Sequence, residues 1–259
     1  MSKKNIGTAL KNHENISEKI ESITLNSIRK ILTDKAIEDA CDAVGYQYRQ
    51  RLITQIITVL HMILAAIWPE ESFAASWQIL CTSFSSMFIE HNGQSPSLGS
   101  VAKARYRLPL EMWKRLFEWL SLQAQNLSQP FDKWNGHRVV LLDGSCVSMP
   151  DQPSLFKEFG RAAGCHGKFR HPLARLVVLC IAGTMTVVDY ALGRYDQDEN
   201  FLARPLLGKL RKGDLLLADK HFAAAHFYWY YQSKGIEFLT KVHQRLKISR
   251  LKRIESYSR

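Results

Sequence analysis

A membrane span is the first thing this sequence lacks. Its longest apolar stretch, Leu52 to Trp68, runs for 17 residues and is interrupted by Thr54, Gln55, Thr58 and His61. A bilayer helix needs about 20 mostly apolar residues, so the stretch reads as a buried helix. The opening residues, Met1-Ser2-Lys3-Lys4-Asn5, lead into polar sequence with no secretory apolar segment. Paired cysteines are also missing. The five (Cys41, Cys81, Cys146, Cys165, Cys180) are scattered and form no CxxC pair, which excludes a disulfide framework and points to a reducing compartment. No internal repeat and no disordered or collagen-like composition is visible. With 46% hydrophobic residues in 259, the chain can bury one large core or two smaller ones. The expectation is a soluble, cytoplasmic protein.

Acid is in short supply. Against 24 Asp/Glu stand 35 Lys/Arg, a net charge of +11, and the excess is uneven. From Phe131 onward 21 basic residues face 12 acidic ones, whereas the first 130 residues hold 14 against 12. The segment Lys241 to Arg259 has seven basic residues and one acid. Such a surface favours a polyanion, because each phosphate contact releases counterions. A solvated surface that keeps the protein soluble accounts for the charge equally well.

Residues 1–128 read as a helical domain. Apolar residues recur at helical spacing through Ile16, Ile20, Ile23 and Ile28, and again from Ala36 to Val44. The Leu52–Trp68 run follows, then a helix from about Phe73 to Ile89 and a loop over residues 91–100. Ser97 or Ser100 suits the cap of a short helix from Val101 to Arg107, and Pro109 suits the first turn before Leu110 to Leu127. Lys103, Arg105, Arg107, Lys114 and Arg115 form either a phosphate-facing set or an ordinary charged helix face.

After Gln129-Pro130 the pattern changes, and residues 129–259 read as a second domain. Residues 138–143, 174–182 and 184–192 are apolar strands, with Gly183 marking the hairpin between the last two. A helix from Asp196 to Leu210 follows, capped by Asp196 or Asp198. Next come a strand from Leu215 to Asp219, an aromatic helix from Phe222 to Gln232 and a strand from Ile236 to Val242. The order β-β-β-α-β-α-β predicts a mixed sheet with flanking helices, an α/β fold.

Two of these strands share one design: four apolar residues, then Asp143 or Asp219. An unalternating apolar run predicts burial on both faces and a place in the sheet centre. If the two strands are parallel neighbours, both carboxylates emerge at the carboxyl edge, where open α/β sheets bind ligands. Two close carboxylates repel unless a cation lies between them, and Mg2+ or Mn2+ suits oxygen ligands. Two such ions about 3.5–4 Å apart activate a water or 3′-hydroxyl and stabilise the leaving oxygen of a phosphodiester. An Asp at a strand end also serves as a simple cap for the turn that follows.

Four fragments carry a resemblance. They are Arg105-Tyr106-Arg107-Leu108-Pro109-Leu110, Leu142-Asp143-Gly144-Ser145 with Met149-Pro150-Asp151, His171-Pro172-Leu173-Ala174-Arg175-Leu176, and the run from Gly213 to Phe222 containing Asp219-Lys220. In this order and spacing they resemble the IS4-type family of bacterial insertion-sequence transposases. The resemblance implies a ribonuclease-H-like catalytic domain, with Asp143 and Asp219 as the first two members of a DDE triad. It further implies two Mg2+ or Mn2+ ions, metal-dependent strand cleavage and strand transfer, and a helical domain gripping the ends. The implied partner is double-stranded DNA at terminal repeats and target, with a homodimer in the DNA complex. The implied location is the bacterial cytoplasm, at the nucleoid when DNA is bound. Arg105, Arg107, Lys168, Arg170, Lys220, Lys241, Arg245, Lys247, Arg250, Lys252 and Arg253 are the basic residues assigned to DNA.

Two departures from the family pattern stand out. Lys220 replaces the usual Arg, keeping the charge and losing the planar fork. The family's third carboxylate, in a Tyr-x2-Arg-x3-Glu-x6-Lys helix, has no counterpart, since Glu237 falls within a strand and Glu255 within a basic tail. The sequence therefore reads as a truncated transposase whose catalytic domain is incomplete, and the alternative function is a catalytically inactive DNA-binding fragment.

Other residues invite weaker readings. Cys165, His166 and His171 lack a fourth zinc ligand at a usual spacing. Gly160, Gly164 and Gly167, set among Lys157, Arg161, Lys168 and Arg170, match no nucleotide-binding fingerprint. Ser145 and Ser148 lack the glycines of a nucleophile elbow. Tyr228, Trp229, Tyr230 and Tyr231 read as helix packing in preference to a base-stacking platform.

Overall fold

The structure is a computed structural model, and it describes residues 25–48, 51–68, 72–83, 96–127, 133–160, 171–223 and 225–241. The chain divides into two compact units, Met1–Leu120 and Ser121–Arg259. Among the described residues no helix is long and apolar enough to cross a membrane.

The first unit is helical. Its elements are α1 (Leu25–Ile31), α2 (Asp34–Asp42), α3 (Gln55–Ile67), α4 (Phe73–Ser83), α5 (Leu98–Arg107) and the first part of α6 (Leu110–Asn126). Threonine and serine caps set three of the starts. Thr33, Thr54 and Ser97 accept from the backbone N–H of Ala36, Ile57 and Ser100, satisfying donors that a helix start leaves open. The Leu52–Trp68 run does form a buried helix, and its polar interruptions have separate fates. Thr58 donates back to the Thr54 carbonyl at 2.8 Å. His61 is 1% exposed and lies with Nε2 3.0 Å from Ser76 Oγ and 3.2 Å from the Phe73 carbonyl. Around them pack Ile37, Ile57, Leu60, Leu64, Leu80, Val101, Met112 and Leu116. Ile16 to Ile23 and the end of the Phe73–Ile89 helix lie outside the described residues.

The second unit is built on one five-stranded sheet, ordered β3-β2-β1-β4-β5. The strands are β1 (Val139–Ser148), β2 (Leu173–Ile181), β3 (Thr186–Arg194), β4 (Leu215–Ala218) and β5 (Glu237–Thr240). The first three pair antiparallel, while β4 and β5 run parallel to β1. That is a mixed sheet with flanking helices, the α/β fold the sequence predicts. Helices α7 (Pro153–Phe159), α8 (Glu199–Leu206) and α9 (Ala225–Lys234) connect the strands. Val140, Leu142, Val177 and Leu179 on one sheet face pack with Leu202, Ala203 and Leu206 of α8 and Phe227 and Tyr231 of α9. The last turns of α6 belong to this unit, where Ser121 Oγ donates to the carbonyls of Val187 and Val188 at 2.8 and 3.1 Å.

The structure departs from the sequence reading at several points. Strand β1 continues five residues past Asp143, because its polar end stays paired with β2 down to Ser148↔Leu173. Helix α7 lies where the sequence reading has no element, although Pro153 at its start is a recognised signal. The Asp196–Leu210 helix is shorter. Asp198 is its cap, accepting from Asn200 N at 2.7 Å, while Asp196 pairs with Arg194, and beyond Leu206 the chain tightens into a 3-10 turn. In the β2–β3 hairpin the left-handed residue is Met185 (φ 53°) and not Gly183. Burial on both faces is not met either. Leu217 and Leu239 are 37% and 55% exposed, because α8 and α9 cover only the face carrying Val140 and Leu142.

Candidate active site

Asp143 and Asp219 are brought together by register. The parallel ladder between β1 and β4 pairs Val139 with Leu215 and continues to Leu142 with Ala218. The next residue on each strand is the aspartate. Neighbouring strands lie about 4.8 Å apart, so both residues leave the same sheet edge side by side. Both are exposed. Each aspartate follows an apolar run of a central strand, one face of which is buried in the core.

Each carboxylate also accepts from the backbone N–H of the residue after it. Asp143 Oδ1 accepts from Gly144 N at 2.9 Å within β1, and Asp219 Oδ1 accepts from Lys220 N at the start of the 3-10 turn Lys220–Phe222. That bond occupies one oxygen of each. Among the described residues neither aspartate has an ion-pair partner, so Oδ2 of each remains open to a ligand. Two hard oxygen donors at one edge fit a divalent cation of the Mg2+ type, which is commonly bound through one or two carboxylates plus substrate oxygens. Among the described residues no third His, Cys, Asp or Glu completes a metal-binding cluster. Glu237 starts β5 opposite Leu215, at the other end of the ladder, and faces His137 at 3.8 Å. It cannot reach the Asp143–Asp219 edge. Glu255 lies outside the described residues.

Beneath this edge sits a device that the sequence did not announce. Arg175 on β2 faces the core beside Val177 and pairs with Glu199 in the first turn of α8. Its Nε and Nη2 also donate to the Tyr195 carbonyl at 3.1 and 2.9 Å. The Glu199 carboxylate lies against Gly144, where a Cβ would stand 2.6 Å from its carboxyl carbon. Glycine after Asp143 is thus required by close approach. Asp198, next to Glu199, faces His221 at 3.8 Å, so the start of α8 touches both motif loops. Arg175 lies within one of the resembling fragments, whereas no sequence pattern marks Glu199. The usable signal was an arginine at an inward strand position, which demands a buried acid.

The basic residues assigned to DNA are only partly placed. Lys220 stands at the aspartate edge and is exposed, and Lys241 is exposed just beyond β5. Arg105 lies over the rings of Tyr106 and Phe73, at 4.9 and 5.8 Å. Arg107 lines a cavity in the first unit. Lys168, Arg170, Arg245, Lys247, Arg250, Lys252 and Arg253 lie outside the described residues, as do Cys165 and His166. Of the aromatic run, Tyr231 and Phe227 are buried against Phe238 and the sheet, and Trp229 is 75% exposed.

Residues 134–259 match the family model described as the transposase DDE domain. Among solved structures the chain is similar to a piggyBac transposase, seen by cryo-electron microscopy in a synaptic complex with hairpin DNA. The TM-score is 0.39 at 10% identity, over 85% of this chain and 50% of that one. The chain thus spans half the length of that relative. No curated protein gives a match.

Proposed function

We propose that the chain acts in DNA transposition, as the DNA-cutting and strand-transferring protein of an IS4-type insertion sequence. The observation that carries this reading is the placement of Asp143 and Asp219 directly after Leu142 and Ala218, which the parallel ladder pairs, within residues matching the transposase DDE domain. The carboxylates' open oxygens would hold Mg2+ or Mn2+, and such an ion supplies charge stabilisation to the oxygens of a phosphodiester. The backbone bonds fix how each aspartate points. Lys220, exposed at the same edge, meets the DNA backbone as a point charge. The Arg175–Glu199 pair holds α8 against Gly144 and so supports the strand carrying Asp143. Terminal-repeat DNA, target DNA and a second copy of the chain are the proposed partners, in the bacterial cytoplasm.

A second reading rests on a specific observation. Among the described residues no third acid joins the pair, and the resemblance calls for one. On that reading the chain occupies transposon ends without cutting them.

The test is duplex cleavage and duplex binding with the full chain in Mg2+ or Mn2+. The first reading expects cleavage, and Asp143→Asn and Asp219→Asn should each lower it at least a hundredfold with duplex binding retained. Binding without cleavage supports the second. Cleavage unaffected by Asp143→Asn would overturn the site assignment.

A further inference from the structure

The proposed chemistry calls for a third acid at the Asp143–Asp219 edge, and the start of α8 carries one close to it. The ladder between β1 and β4 ends where Leu142 meets Ala218, whereas β1 runs on to Ser148 paired with β2. From Asp143 onward one flank of β1 is therefore a notch that no described strand fills. Two carboxylates approach it from opposite faces. Side chains alternate along a strand, so Asp143 leaves on the face away from the core residues Val140 and Leu142. Gly144 is turned the other way, and the Glu199 carboxylate lies against it.

Both acids thus touch one residue. Asp143 Oδ1 accepts from Gly144 N at 2.9 Å, and Glu199 Oε2 lies 2.8 Å from where a Gly144 Cβ would stand. Followed through the bond geometry of that residue, these contacts put the two oxygens at most about 8 Å apart. Two Mg2+-type ions about 3.5–4 Å apart, each about 2.0–2.1 Å from its oxygens, span that distance. Glycine at 144 leaves the space between them free of a side chain. Arg175 takes Glu199 Oε1 and is anchored separately by its two bonds to the Tyr195 carbonyl. Among the described residues it is the one hydrogen-bond partner of this carboxylate, so Oε2 is uncommitted. Asp198, by contrast, is engaged with Asn200 N and His221. Arg175 neutralises one of the three carboxylates, which leaves the other two to a divalent cation.

We infer that Glu199 is the third carboxylate facing the cation, held at the notch by Arg175. The three acids do not form a closed cluster in this structure, so the ion draws them together. The inference rests on the cation-dependent reading and supplies, from between the two aspartates, the acid that the resemblance places further on.

The experiment measures Mn2+ binding to the full chain without DNA, by electron paramagnetic resonance of the free ion, with Tm recorded for every variant. Glu199→Gln keeps an acceptor for Arg175, so Tm should move little. Mn2+ affinity should fall at least tenfold, the loss that even the outer partners of a metal site cause. Asp189→Asn, at an ion-paired acid on β3, should change it less than twofold. Arg175→Gln separates a cation-facing acid from a prop, and carries the test if Glu199→Gln folds poorly. If Glu199 faces the cation, losing the competing guanidinium leaves Mn2+ affinity equal or higher. If the pair only supports β1, affinity falls as it does in Glu199→Gln. Unchanged affinity in Glu199→Gln, or a loss in Arg175→Gln, would overturn the inference. Binding abolished by Asp143→Asn and untouched by Glu199→Gln overturns it alone, whereas no Mn2+ binding by the wild type also removes the reading beneath it.

Discussion

Replacing Gly144 with alanine tests whether the motif glycine is there for space. The added methyl would sit 2.6 Å from the Glu199 carboxyl carbon and 2.8 and 3.0 Å from its oxygens. A free glutamate would swing aside at little cost. Glu199 is not free, because it is paired with Arg175, and both side chains are only about one-fifth exposed, at 19% and 21%. Yielding means breaking that pair or shifting β1, and overpacking of this kind costs about 1–3 kcal/mol. A domain approaching 150 residues loses about 2–4 °C in Tm per kcal/mol, so the second unit should melt about 3–10 °C lower. Calorimetry with denaturant titration measures it. The cost should shrink by about 1–2 kcal/mol in a Glu199→Ala background, where nothing meets the new methyl. A Tm within 1 °C of wild type, or an equal cost in both backgrounds, refutes the reasoning.

Three further outcomes follow from the same structure. Asp214 is 3% exposed and accepts from Arg138 at 2.9 and 2.6 Å and from Arg211 N at 2.7 Å, so Asp214→Ala should destabilise the second unit by about 3–5 kcal/mol in urea. Burial pushes the His61 imidazole below its usual 6.5, with the Phe73 carbonyl opposing and Arg105 adding to the shift. The unfolded chain then binds the extra proton first, so stability of the first unit is full above pH 6.5 and falls as pH drops below it; His61→Gln should flatten that slope in pH-dependent melts. Cys41 is buried and its thiol is pushed up to about 11, whereas Cys146 is exposed. Labelling with a disulfide reagent and mass mapping should therefore mark Cys146 well before Cys41, which reacts only on unfolding.

Strand positions were legible in the sequence where burial dictates composition. Val139–Leu142 and Leu215–Ala218 are apolar runs at the sheet centre with one face packed in the core, so they show themselves, and an aspartate follows each. Signals failed where polarity returned inside an element. Residues 144–148 look like a loop but remain strand, because pairing with β2 is a backbone matter that side-chain polarity does not report. The seven-residue α7 has no fully buried side chain, which left its apolar periodicity too faint to notice.

What the sequence by itself determined is the alternation of helical and extended segments, the aspartate that follows each of two apolar strands and the excess of positive charge. These are properties of single segments, where periodicity, caps and charge are written residue by residue. Only the tertiary structure decided which residues meet across distance. It paired β1 with β4 in the register that sets Asp143 beside Asp219. It laid Glu199 against Gly144 through Arg175, 24 residues away. It also gathered Tyr46, Gln55 and Arg107 around one cavity. Such meetings depend on close packing and strand register, which each segment constrains but no segment contains.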